Sequence, residues 1–211
     1  MSKANFLSCA AVVLFVFLIN GCVSIPSSPT PRFYMPGSIT KEQSVEKFEI
    51  ASGVIVAVGP IRIPAYQDRP QIVTRNKDGT LLFAQFERWG EPLDSGIARL
   101  INDDLASLLP AASFQVFPCN FAIPLDYQVI VEVLQLDSEL EKDMVFTGQW
   151  SIIDAKSREL LLTKRTRISK PINPHNYFGL AQALGDVCFS LSREIAENLS
   201  MLSKQPKSSK P

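Results

Sequence analysis

The sequence predicts a mixed α/β domain, and three observations carry that expectation. "VIVAV" at 54–58 is apolar at consecutive positions, as in a strand covered on both faces. Two long segments repeat apolar residues at helical spacing. Between them, three segments alternate as strands do and form a meander. One buried strand, several alternating strands and two long helices combine into an α/β domain with a mixed sheet.

The elements follow in chain order. Residues 71–75 and 80–86 read as strands joined by the turn "NKDG" at 76–79. Residues 92–109 form an amphipathic helix: Leu93, Ile97, Leu100, Ile101, Leu105, Leu108 and Leu109 share a stripe, and Pro92 suits a first turn. "FQVF" at 114–117 is a short strand. Residues 127–136, 143–153 and 159–168 are the meander, the last two linked by "DAKSRE". A final helix is expected from a cap at Asn173-Pro174. Its stripe runs through Tyr177, Leu180, Ala181, Leu184, Val187, Cys188, Leu191, Ile195, Leu199 and Leu202.

The ends of the chain have other characters. Residues 1–21 read as a signal peptide. Lys3 supplies a basic start, and "FLSCAAVVLFVFLI" at 6–19 is shorter than the roughly 20 residues that a bilayer span needs. No small-x-small cleavage pattern follows. The chain instead reads "LINGC", with Gly21 directly before Cys22. This resembles a bacterial lipobox, whose cysteine thiol receives a diacylglycerol and becomes the mature N-terminus; the alternative is an uncleaved anchor with an incidental cysteine. Two or three acyl chains, at roughly 0.8 kcal/mol per buried CH₂, make a lasting lipid anchor. Val23 stands where an Asp would favour retention at the inner membrane, so the expected location is the periplasmic face of the outer membrane in a Gram-negative cell. Residues 22–32, rich in Ser and Pro, form a flexible tether. The domain is expected over 33–202, and the polar tail 203–211 is expected to be disordered.

Composition excludes several function classes. Lys+Arg and Asp+Glu are equal at 21 each, and a chain without net charge lacks the basic footprint of a nucleic-acid binder. With His175 as the single histidine, the common paired-histidine zinc motifs are impossible. There is no G-x-S-x-G elbow, no P-loop and no other cofactor motif. Asp103 and Asp104 are adjacent on a helix and point to different azimuths, as on a solvated face. No acid, base or nucleophile therefore stands out, and the chain is not expected to be an enzyme, to bind a cofactor or to hold a metal. Once Cys9 leaves with the signal and Cys22 is modified, Cys119 and Cys188 remain. In an oxidising compartment they could form a disulfide; against that, Cys188 lies on the apolar stripe, where a buried thiol packs as a small hydrophobe.

What remains is surface. In "IPAYQDRPQIVTR" at 63–75, Pro64 and Pro70 fix φ at two points, so the loop between them is stiff. Tyr66 and Arg69 are interface-enriched types. Asp68, Pro70, Gln71 and Arg75 complete the block, and it reads equally as an internal brace or as a docking surface. In "RWGEPL" at 88–93, Trp89 is either a core residue that plugs the helix entrance or part of that surface. Arg88 has Asp68 and Glu91 as candidate partners. "KRTRISK" at 164–170 suits an edge strand guarded by bases, or a surface that meets acids or lipid headgroups.

Taken together, the lipobox, "PTPRFYM", "GPIRIPAYQDRPQIVTR", "ERWGEPL" and a hairpin carrying Gly148 and Trp150 resemble the ABC-type transport auxiliary lipoproteins, including the paraquat-inducible protein C (PqiC) group. The resemblance spans about residues 18–200. One departure is "FYMPG" at 33–37, where relatives continue with Leu after the aromatic pair. The resemblance implies a three-layer α/β/α sandwich with a mixed sheet, similar to the N-terminal domain of TolB. It also implies a role as an outer-membrane lipoprotein docked to an MCE-domain protein of a lipid transport system, whose inner-membrane partner is an ABC permease or a PqiA-like protein. On that view the 63–75 loop contacts either other subunits of a homo-oligomer or the MCE partner. A second reading is a carrier that itself encloses phospholipid, which needs an apolar cavity of several hundred Å³.

Overall fold

Eight strands build two mixed sheets, and two helices pack on the larger of them, in a computed structural model that describes residues 29–37, 46–119 and 123–204. The signal segment, Cys22 and the tail beyond Lys204 lie outside the described residues. From Pro31 onward the chain forms one compact unit.

The larger sheet holds β2 (Ile55–Arg62), β5 (Ser113–Val116), β6 (Tyr127–Ser138), β7 (Asp143–Asp154) and β8 (Leu160–Pro171), in the order β5-β2-β6-β7-β8. The pairs β5–β2 and β2–β6 are parallel, and β6–β7 and β7–β8 are antiparallel. The smaller sheet holds β1 (Arg32–Tyr34), β3 (Gln71–Arg75) and β4 (Leu81–Trp89), in the order β1-β4-β3. There β1 runs parallel to β4, and β3 antiparallel to it.

The apolar run at 54–58 becomes β2, next to the centre of its sheet, and Val56, Ala57 and Val58 are wholly buried. Helix α1 (Leu93–Leu108) packs on β2 and β5, helix α2 (Tyr177–Lys204) packs on β7 and β8, and the two helices pack on each other. One core joins them: Val129, Val131 and Val133 of β6 and Met144, Phe146 and Trp150 of β7 cluster with Ile101 and Leu105 of α1 and Leu184, Leu191 and Ile195 of α2. The intervening residues Glu132, Gln149, Thr163, Arg165 and Arg167 are exposed, so β6–β8 alternate there as strands with one solvated face do, while β2 is covered on both faces.

The mixed α/β class is therefore as expected. The layering is refined: both helices lie together over the larger sheet, and the second sheet is an addition. The final helix begins later than Asn173-Pro174. Asn176 is its cap, its Oδ1 accepting from the Gly179 N–H at 3.0 Å. A Cβ on Gly179 would overlap the Pro174 carbonyl, so only a glycine lets the chain turn in this tightly. At its far end α2 reaches Lys204, two residues into the segment expected as tail. No disulfide joins Cys119 and Cys188; Cys188 is packed in the core, as its place on the helix stripe allows, and Cys119 is half-buried. Asp104 is not merely solvated: its Oδ2 accepts from the buried Ser192 hydroxyl at 3.2 Å, tying α1 to α2.

Candidate functional site

The 63–75 block divides into an inner and an outer set. The inner set grips the end of β6. There the extra residue Leu134 leaves the ladder between Val133 and Gln135, a bulge that turns the strand locally. Gln67, only 3% exposed, donates through Nε2 to the Leu136 carbonyl at 2.6 Å. The Leu136 N–H donates to the Tyr66 hydroxyl at 3.1 Å, and that hydroxyl donates to Asp137 Oδ1 at 3.1 Å. Arg75 Nη2 donates to the same Oδ1 at 2.9 Å, and Gln135 Nε2 to Oδ2 at 2.6 Å. Burial alone would raise the Asp137 pKa, but the hydrogen bonds from Arg75 and Gln135 outweigh it and hold this carboxyl below its ordinary value. Burial raises the Tyr66 phenol instead, so it stays a donor. For Tyr66 and Arg75, the brace reading is the one observed.

The outer set faces solvent. Asp68, Arg69 and Pro70 are exposed, and the Arg69 guanidinium lies 4.3 Å from the centroid of the Phe83 ring, within cation–π range. Phe83 is itself 48% exposed. The two blocks singled out in the sequence meet here. Asp68, Arg69 and Pro70 form one wall of a cleft of about 350 Å³, and Trp89, Gly90, Glu91, Pro92 and Leu93 form the other. The backbone N–H of Trp89 donates to the Pro70 carbonyl at 2.8 Å, joining the walls at their base.

Trp89 is buried and belongs to the core, so the plug reading holds for it. Arg88 takes neither expected partner in an ion pair: Glu91 is held by Arg99 at 2.7 Å, and Arg88 sits half-buried on β4, flanked in register by Phe33 of β1 and Gln71 of β3. The 164–170 bases lie on β8, the outermost strand of its sheet. His175 is exposed. Among the described residues, no cluster of His, Cys, Asp or Glu is placed to hold a metal, and no helix is long and apolar enough to cross a membrane.

Residue-by-residue reading missed Gln67 and Asp137, the centre of the brace, and Phe83 beneath Arg69. Their contacts span up to about seventy positions of chain, and nothing local in the sequence marks them.

The family model for the ABC-type transport auxiliary lipoprotein component matches residues 39–196. The chain belongs to this family. The auxiliary lipoproteins of ABC-type transport are described as transport components rather than enzymes, and lipoprotein membership associates this one with a membrane of the cell envelope. Two solved structures share the fold. One, of an uncharacterized protein, is 16% identical with a TM-score of 0.65, and the match covers 81% of this chain and 99% of that one. The other, a Xanthomonas campestris protein of the family DUF330, is 12% identical with a TM-score of 0.60, covering 82% of this chain and 98% of that one. No curated protein matches.

Proposed function

We propose that this auxiliary lipoprotein is anchored through lipidated Cys22 to the periplasmic face of the outer membrane, where it docks the MCE-domain protein of a lipid transport system. The contact surface is the outer wall of the 63–75 loop, with Asp68 and Arg69 at its centre. The observation that carries this reading is the cleft in which the two most distinctive blocks of the sequence face each other. It is braced from behind by Tyr66, Gln67 and Arg75, so Arg69 is presented on a stiff support. An arginine held against an aromatic ring gives up little freedom on binding. The core is filled by the protein's own side chains, with Trp150, Leu184, Leu191 and Ile195 at 1% exposure or less. That supports docking over the enclosing of a lipid.

The test is recovery of an MCE-domain partner with the Arg69→Glu protein. Recovery should fall about tenfold or more, as expected of a hot-spot residue, while thermal unfolding stays where it was. Unchanged recovery rules the surface out. The anchor is tested separately: Cys22→Ala should abolish palmitate labelling and release the protein from the membrane fraction.

A further inference from the structure

We infer that the side formed by Phe33 of β1 and Met35 just after it rests in the headgroup layer of the bilayer to which the chain is tied. The inference takes the lipidation of Cys22, proposed above, as its starting point.

Phe33 is 66% exposed and Met35 53%. Residues two apart on an extended strand share a side. Tyr34, between them, turns the other way, its ring 6.2 Å from that of Tyr177 at the start of α2. The first strand and the residue after it are thus two-sided: Tyr34 packs on the protein, while the Phe33 ring and about half of Met35 face solvent.

Single exposed hydrophobes are ordinary. Two further facts set this pair apart. The first is reach. Phe33 follows Cys22 by eleven positions. Eleven residues reach at most about 40 Å at full extension. Acyl chains at Cys22 therefore hold these side chains within a short distance of the lipid surface, at high effective concentration. The second is charge. From Cys22 through Lys41 the chain contains no Asp or Glu, although it has 21 elsewhere; its charged residues there are Arg32 and Lys41. A negatively charged lipid surface attracts bases and repels acids. Arg32 is already forked onto Glu87, so apolar insertion rather than charge is the main contribution. A phenyl ring with a base on the neighbouring position is a pairing found in segments that lie at the membrane–water boundary. The cleft lies next door, since the Met35 sulfur sits over Gly90, where a Cβ would come within 2.8 Å of it. A partner docked at Arg69 would then end beside the lipid.

The test uses the mature chain from residue 22 with Cys119→Ser, coupled through the Cys22 thiol to a maleimide lipid. The vesicles are phosphatidylethanolamine and phosphatidylglycerol at 3:1. This chemical anchor replaces the natural one, so a failure here and a failure of Cys22 lipidation in cells are read separately. Phe33→Trp supplies a reporter, read as the difference from the parent protein with its native Trp89 and Trp150; Arg165→Trp, on the exposed side of the larger sheet, is the control. With acyl chains brominated near the headgroup, emission from residue 33 should drop about twofold and shift to shorter wavelength, as expected for burial about 5–10 Å into the boundary. The control should not change. Equal quenching at both positions overturns the proposal. So does a response at residue 33 that vanishes when each vesicle carries one protein, because the face then meets a second copy.

Discussion

The two sheets of this protein are held by different forces. The five-stranded sheet is stabilised by apolar burial: Trp150, Met144 and Val131 pack under two helices, and only one face is exposed. The three-stranded sheet joins that core through fewer side chains, Ile72, Ala84 and Trp89. It is fastened by polar links at its margins, from Arg32 to Glu87 on one side and from Tyr66, Gln67 and Arg75 to β6 on the other. Exposed apolar residues concentrate on it as well, with Phe33, Leu82 and Phe83 all on its strands. A non-directional force secures the scaffold, while directional bonds set the angle of the surface that is offered outward.

The largest expected effect tests the scaffold. Trp150 is 1% exposed, and its indole N–H donates to the Thr166 hydroxyl at 3.1 Å. Trp150→Ala should cost about 3–5 kcal/mol in urea unfolding. A loss near zero would mean that the helices do not depend on this side chain. Next comes the brace. Tyr66→Phe removes a hydroxyl that both donates and accepts, and should cost about 1–3 kcal/mol. If it costs as much as Trp150→Ala, the distinction between the sheets fails.

Acid should act on the polar links first. Hydrogen bonding to Arg32 depresses the Glu87 pKa, and Asp137 is depressed as well. A carboxyl whose folded pKa lies below its unfolded value contributes stability at any pH above the unfolded value, and that contribution is lost as pH falls through the folded one. Stability should therefore hold above about pH 4.5 and decline below it. Asp137→Asn should flatten part of that decline when unfolding is followed as a function of pH. The smallest effect on stability is expected at Arg69→Ala, within about 0.5 kcal/mol, because the side chain is exposed. Its consequence should appear in partner recovery instead.

The large sheet was legible because its signals are local. The consecutive apolar residues of β2, the stripe of α1 and the alternation of β6 each declare a period within a dozen residues. In the small sheet the pair β3–β4 was legible from its two strand runs and the "NKDG" turn between them, but β1 was not. β1 pairs with β4 across more than fifty positions of chain, and a three-residue strand has no period to detect. The site was legible by half. Pro64 and Pro70 announced a stiff loop, but which of its side chains turn inward depends on Leu136 and Asp137, which only the fold brings near. The helix cap failed for a related reason: Asn173-Pro174 and Asn176 both carry cap chemistry, and the turn around Gly179 decides between them.

The parallel pairing of β1 with β4 has a mechanical consequence. If the chain is anchored at Cys22 as proposed, tension on that end would enter the domain at Arg32 and meet three paired residues and one guanidinium–carboxylate fork. So short a clasp would part before the helices and the large sheet were loaded, leaving the body of the domain intact.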